Sequence, residues 1–86
     1  MAVSEKEVRE AILEILSEIV ERSDLDELQD DVPFSDQFEL DSMDMLDVPL
    51  GLRKRFELPI PDSDYPQLQT MNSTVAYILS NLNAKS

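Results

Sequence analysis

Apolar residues in the first part of the chain recur at spacings of three and four, which predicts one face of a helix over residues 3–22. They are Val8, Ile12, Ile15, Leu16, Ile19 and Val20. Ser4, followed three residues later by Glu7, has the form of a capping box and marks the helix start. The opposite face carries a row of glutamates. Because like charges at helical spacing repel, burial of the apolar face must hold this helix together.

The helical period is lost between Ser23 and Asp41, where Pro33 interrupts an irregular set of apolar residues separated by acidic ones. The apolar residues are Leu25, Leu28, Val32, Phe34, Phe38 and Leu40. We therefore expect a long loop whose apolar side chains insert into the core, and such loops in compact domains are often functional. A disordered linker is the alternative, against which the two phenylalanines argue.

The second predicted helix, residues 42–56, has two apolar stripes about 150° apart when each residue turns the helix by about 100°. The first stripe consists of Met45, Val48, Leu52 and Phe56, and the second consists of Met43, Leu46 and Leu50. One stripe can face the core, so we expect the second to lie near solvent. A proline inside a helix costs about 3 kcal/mol unless the helix kinks, so Pro49, with Gly51 close by, predicts a kinked or broken helix. In the alternative, Asp47 caps a new helix that begins near Pro49, and Ser42 lies in a looser turn.

Two further helices complete the predicted fold, a short one over about 62–69 and a last one over about 73–83. The candidate N-caps are Asp62 or Asp64 for the short helix and Asn72 or Ser73 for the last one. The inward-facing residues of the last helix are Val75, Ile78, Leu79 and Leu82. No strand-like alternation occurs in the sequence. We therefore expect an all-α fold, a four-helix bundle with a long loop between helices one and two and a short third helix.

The composition narrows the class of protein. The chain has 86 residues, of which 42% are hydrophobic, and a net charge of −12. That length supports a single domain over residues 1–86, and the hydrophobic fraction is too high for a disordered acidic tail. Without cysteine or histidine there is no disulfide, thiol nucleophile, usual zinc site or imidazole base, so we expect no enzymatic activity from this chain alone. A chain this acidic should repel nucleic acid and anionic membranes.

Membranes and metals are also disfavoured as ligands. No apolar run approaches eighteen residues, and residues 1–5 lack a secretory pattern, so we expect a cytoplasmic protein without membrane insertion. The acids at Asp24, Asp26, Asp30 and Asp31 suggest calcium, but an EF-hand needs a glycine at its sixth position and the chain's one glycine is Gly51. We expect no specific metal site, although weak divalent binding by clustered acids would reduce self-repulsion.

Ser42 lies where the long loop becomes the second helix, and two interpretations of it stay open. Serine at such a place is ordinarily a helix cap. However, an apolar patch beside an exposed serine suggests docking and covalent modification by a partner. A phosphate on this oxygen would be favoured by the helix dipole and opposed by Asp41 and Asp44 unless a partner screened them. No base is apparent in the chain, so another enzyme would have to activate the hydroxyl.

The segment Leu40-Asp41-Ser42-Met43 resembles the Asp-Ser-Leu/Met signature of acyl carrier proteins and related phosphopantetheine-binding carriers. The resemblance covers nearly the whole chain. It extends to the acidic first helix, Asp30-Asp31, Phe56, Ile60-Pro61-Asp62, Thr70-Met71 and Tyr77-Ile78.

The resemblance implies that Ser42 carries 4′-phosphopantetheine, attached from coenzyme A by a separate magnesium-dependent transferase. The terminal thiol of that arm would hold acyl groups as thioesters for enzymes of fatty-acid, lipid or polyketide pathways. Asp41 would help to position the transferase's metal or basic residues. The implied partner contacts are the apolar Met43, Leu46 and Leu50, with Asp44 and Asp47 steering basic acyl-loading and acyl-transferring enzymes. We expect a monomer.

Besides Pro49 and Gly51, two features depart from the family pattern. Glu39 stands where glycine is common, two residues before the Asp-Ser pair, and Arg53-Lys54-Arg55 occupies a stretch that is typically acidic. The basic run is explained either by compensation of the helix dipole or by a changed set of partners, and the two are compatible. The departures suggest a specialised carrier. The alternatives are an aminoacyl or peptidyl carrier, of D-alanyl or non-ribosomal type, and an acidic helical interaction module that is never modified.

Overall fold

The computed structural model describes residues 3–85, and within them the chain forms five α-helices and one 3₁₀ helix. These are α1 (Glu5–Leu16), α2 (Arg22–Leu25), α3 (Phe34–Gln37), α4 (Ser42–Phe56), the 3₁₀ helix (Asp62–Leu68) and α5 (Met71–Lys85). The all-helical prediction is confirmed. Helix α1 packs against α4 and α5, and the 3₁₀ helix packs mainly against α5. Among the described helices, none combines the length and the apolar character that a membrane crossing requires.

Helix α1 begins as predicted but is shorter than residues 3–22. The Ser4 hydroxyl accepts a hydrogen bond from the Glu7 N–H at 3.2 Å, which caps the helix. The helix ends at Leu16 because the chain tightens there: the Ser17 hydroxyl donates to the Glu14 carbonyl at 2.6 Å, and the next residues form a turn. The last apolar residues of the predicted face still pack on the core. The apolar spacing therefore predicted their burial correctly and the helix end wrongly.

The long loop contains two single-turn helices, α2 and α3, and contributes to the core as expected. Phe34 is fully buried, and four other apolar side chains of the loop are partly buried against the core. They are Leu25, Leu28, Phe38 and Leu40. Two backbone hydrogen bonds tie the loop to the chain around the start of α5, from Phe34 N–H to the Gln69 carbonyl at 2.7 Å and from Asn72 N–H to the Asp30 carbonyl at 3.0 Å. The middle of the loop is thus held against the start of α5.

Helix α4 runs without interruption from Ser42 to Phe56, so a broken helix and a new helix that begins near Pro49 are both wrong, while a kink at Pro49 stays a prediction. Burying an aliphatic side chain stabilises by about 1.5–3 kcal/mol, and Val48 and Leu52 are fully buried on this helix. Together they offset the roughly 3 kcal/mol that an internal proline costs. Gly51 also has a packing role, because a β-carbon there would lie 3.0 Å from two carbons of Ile15 on α1.

The last two helices correct the predicted caps. The 3₁₀ helix starts after Pro61 with no side-chain cap, so neither Asp62 nor Asp64 acts as one. Helix α5 begins at Met71, earlier than predicted.

The cap of α5 is Thr70 rather than Asn72 or Ser73. The Thr70 hydroxyl accepts from the Ser73 N–H at 3.0 Å, and the Ser73 hydroxyl accepts from the Thr70 N–H at 3.3 Å. This reciprocal pair is a capping box built from two hydroxyl residues. The inward-facing residues of α5 were predicted correctly: Val75 and Ile78 are buried, and Leu79 and Leu82 are partly buried.

Candidate functional site

The side-chain amide of Gln37 holds together the loop that precedes Ser42. Its Nε2 atom donates to the Gln29 carbonyl at 2.9 Å and to the Val32 carbonyl at 2.8 Å, and its Oε1 atom accepts from the Gln29 N–H at 2.9 Å. Three bonds from one neutral side chain join the two halves of the loop. The sequence carries no signal for this clamp, since its partners lie five and eight residues away in an irregular segment.

Glu39 then turns the chain toward α4 with a φ of 54°, in the left-handed region that glycine adopts without strain. This is the position at which the sequence departs from the glycine of the resembling family. At this position the chain therefore makes a left-handed turn with a glutamate instead of a glycine.

Asp41, not Ser42, caps helix α4. The backbone of Asp41 is extended, and its Oδ1 atom accepts from the Asp44 N–H at 2.8 Å. The capping interpretation of Ser42 is therefore wrong. Ser42 is the first residue of the helix and is exposed. Its hydroxyl stands at the positive end of a 15-residue helix, where added negative charge is stabilised.

A cleft of about 370 Å³ opens beside Ser42. We call it the α4 cleft. Its walls come from α4 and the 3₁₀ helix, and include Met45, Leu46, Pro49, Tyr65 and Leu68. Asp41 and Ser35 lie at its polar side. Tyr65 and Leu68 belong to a different helix from Ser42, so the sequence pattern alone could not place them beside it.

A half-buried hydrogen bond joins the 3₁₀ wall of the cleft to α5. The Tyr77 hydroxyl donates to Oδ2 of Asp64 at 2.6 Å, and Tyr77 is 8% exposed. Burial, followed by the hydrogen bond to Asp64 and its negative charge, raises the pKa of Tyr77 to about 12. Tyr77 is thus a neutral donor throughout the physiological range, which makes it a structural residue.

The second apolar stripe of α4 lies on the surface, as its spacing predicted. Met43 is 76%, Leu46 is 44% and Leu50 is 51% exposed, whereas Val48 and Leu52 are fully buried. We call Met43, Leu46 and Leu50 the α4 stripe. Asp47 is exposed beside it, and Asp44 is half-buried. Three large apolar side chains exposed together on one helix face are characteristic of a contact surface.

The three basic side chains in the last turn of α4 have different surroundings. Arg55 forms a salt bridge with Glu14 of α1. Arg53 and Lys54 are exposed and, with Leu50 and Leu58, line a shallow groove at this end of the helix. All three cations lie where they compensate the helix dipole, so that part of the sequence interpretation agrees with their placement.

The acidic loop forms a cation contact of its own. Arg9 of α1 lies 2.9 Å from Oδ1 of Asp30, with both side chains about two-fifths exposed. Within residues 3–85, no three acidic side chains converge as a set of metal ligands would.

The chain is similar to known carriers over most of its length. A protein-family model described as "Phosphopantetheine attachment site" matches residues 10–78. An acyl carrier protein from Acidothermus cellulolyticus is 31% identical over 80 residues, covering 91% of this chain and 92% of the relative. One from Lactobacillus johnsonii is 32% identical over 81 residues, covering 94% and 100%. A meromycolate extension acyl carrier protein from Mycolicibacterium aurum is 31% identical over 80 residues, covering 91% and 79%. The matched range includes Ser42, the whole of α4 and the 3₁₀ helix.

Proposed function

The chain belongs to the acyl carrier protein family, whose members bear phosphopantetheine and are not catalysts, and we propose that Ser42 is its attachment residue. The observation that carries this proposal is that Asp41, and not Ser42, caps helix α4. Asp41 makes the capping bond, so the adjacent Ser42 hydroxyl is exposed and available to a transferase. The bound group supplies a terminal thiol, on which an acyl chain is held as a thioester.

Three other serines fit attachment less well, because their hydroxyls are already engaged in hydrogen bonds. The hydroxyl of Ser4 accepts the capping bond of α1, and that of Ser17 donates to the Glu14 carbonyl. The hydroxyl of Ser73 is engaged in the capping box of α5. Ser42 combines exposure with the amino end of a long helix, and the phosphodiester would gain from the partial positive charge there.

The residues around Ser42 suit an arm that carries an apolar cargo. The apolar walls of the α4 cleft would cover an acyl chain and keep water from it, with Met45 supplying an adaptable side chain. The α4 stripe, with Asp44 and Asp47, would contact the transferase and the acyl-loading and acyl-transferring enzymes. Asp41 would hold the helix start in place while the transferase positions its metal and basic residues nearby.

Mass spectrometry tests the attachment directly. The purified chain is incubated with coenzyme A, magnesium and a broad-specificity phosphopantetheinyl transferase. We expect the mass of one phosphopantetheine to be gained, and we expect Ser42→Ala to abolish the gain. Ser35→Ala is the matched control, because Ser35 lines the same cleft and should leave the gain intact. A wild-type chain that stays unmodified, or a Ser42→Ala chain that is still modified, contradicts the proposal.

We propose acyl groups of fatty-acid, lipid or polyketide pathways as the cargo, since the relatives above are named acyl carrier proteins. The aminoacyl and peptidyl carriers are the competing class. Loading of the phosphopantetheine form by an acyl-ligase but not by an aminoacyl-adenylating enzyme supports acyl cargo. The reverse result assigns the chain to the competing class.

A further inference from the structure

The exposed face of α4 changes the sign of its charge along its length. Asp47 forms the acidic end, and Arg53 and Lys54 form the basic end, whereas the half-buried Asp44 lies on the flank, about 100° from Met43 at about 100° per residue. Since an α-helix rises by about 1.5 Å per residue, the basic end lies about 18 Å from Ser42 along the axis. Met43 and Leu46 lie on the Ser42 side of Asp47, and Leu50 lies between Asp47 and the basic end. Along α4, an approaching surface therefore meets apolar side chains beside a carboxylate, then Leu50, then the two cations.

The two ends belong to the same face as the α4 stripe. At about 100° per residue, Asp47, Leu50 and Lys54 fall within about 60° of one another. Arg53 lies about 20° from Leu46 by the same reckoning. The groove beside Leu50 is lined by Arg53, Lys54, Glu57, Leu58 and Pro59, so the cations there exceed the carboxylates by one. This local excess of positive charge is opposite in sign to the net charge of the chain, which is −12.

The cations of the basic end are available to a partner. Arg55 is turned to the side and paired with Glu14 of α1. Arg53 and Lys54 are exposed, and neither takes part in the Arg9–Asp30 or the Arg55–Glu14 salt bridge. Compensation of the helix dipole needs cations in the last turn but does not require them on the outward face. Their position beside the α4 stripe therefore has a consequence for docking.

We propose that the enzymes served by this carrier present a surface of mixed charge to α4. A basic group faces the acidic end, apolar side chains cover the α4 stripe, and an acidic side chain faces the basic end. This rests on the proposed function, because it takes α4 as the docking face. A uniformly basic surface would meet repulsion at Arg53 and Lys54. The mixed pattern instead selects its partners and fixes the direction in which they lie along α4.

A synthetic amphipathic helix of mixed charge tests the direction. The peptide has a leucine face, lysines at one end and glutamates at the other, and carries a nitroxide at its glutamate end. It is titrated into the isotopically labelled full-length protein, and the broadening of the amide signals of α4 is compared between the two ends. Physiological salt, with a Debye length of about 8 Å, suppresses attraction to the net charge. Two exposed charge pairs favour the predicted direction by about fivefold, or about 1 kcal/mol. We expect the Arg53 end to broaden more than the Ser42 end by this factor.

Charge variants show whether Arg53 and Lys54 cause the preference. Arg53→Gln with Lys54→Gln removes one of the two attractions and should reduce the preference to about twofold. Lys6→Gln with Arg22→Gln changes the net charge equally, away from α4, and should preserve it. Equal broadening at both ends in the wild-type chain, broadening away from α4, or a preference that the Arg53 and Lys54 changes do not reduce overturns the proposal.

Phosphopantetheine uptake is measured on the same proteins. Failure of the attachment at Ser42 is therefore seen separately from failure of the charge pattern.

Discussion

Replacing Gly51 by alanine sets two effects of known sign against each other. Alanine is favoured over glycine inside a helix by about 1 kcal/mol. However, the new β-carbon would lie 3.0 Å from Cδ1 and Cγ1 and 3.1 Å from Cγ2 of Ile15. Carbon atoms prefer separations of about 3.5–4.0 Å. The contact involves most of the Ile15 side chain, so rotation of its tip alone cannot relieve it.

The packing effect should prevail. Overpacking by one methyl group costs about 1–3 kcal/mol, so subtracting the helix gain leaves a net loss of about 1 kcal/mol for Gly51→Ala. For a domain of this size, such a loss lowers the melting temperature by about 4–8 °C. Urea unfolding followed by circular dichroism measures the free energy directly.

A double-mutant cycle with Ile15 isolates the clash from the helix propensity. In an Ile15→Ala background all three close carbons are gone, so Gly51→Ala should become stabilising by about 1 kcal/mol. Ile15→Val removes Cδ1 and keeps the other two carbons, and should give an intermediate value. If Gly51→Ala stabilises the wild-type chain, or has the same effect in all backgrounds, the close approach of α1 and α4 does not require glycine at position 51.

Three further predictions concern stability. Glu39→Gly should raise the free energy of unfolding by about 1 kcal/mol, because glycine adopts the left-handed turn at φ 54° without strain. Glu39→Ala should bring no such gain in urea unfolding, and an equal gain would refute the strain argument. The raised pKa of Tyr77 means that the unfolded chain loses this proton first, so stability should fall as pH rises from about 10 to about 12. Tyr77→Phe should remove that part of the pH dependence, measured as urea midpoints across the range, and an unchanged slope would count against it. Residues 1–40 hold thirteen acidic and three basic residues, so the melting temperature should rise from low to physiological salt, and a flat or falling curve would exclude dominant self-repulsion.

Features of the site that lie within one helix could be predicted from the sequence. The exposure of Met43, Leu46 and Leu50, and the burial of Val48 and Leu52, follow from helical spacing alone. The placement of Ser42 at a helix start follows from the local change of pattern. These inferences need no knowledge of what packs against α4.

Features that depend on a second element could not be predicted. Pro49 and Gly51 indicate a break when α4 is considered alone, yet the contact with Ile15 and the burial of Leu52 hold the helix together. Asp64 has the sequence position of a cap, but its partner is Tyr77 in the next helix. In each case a tertiary contact outweighs a local preference of comparable energy.

The hydrogen bonds of Gln37 hold the segment before Ser42 without the use of any charged group. An amide carries no charge, so the three bonds of Gln37 do not depend on the ionisation of any side chain. Deamidation of this one side chain would exchange two donated bonds for a negative charge against carbonyl oxygens. Deamidation at Gln37 would therefore disturb the loop that leads to Ser42.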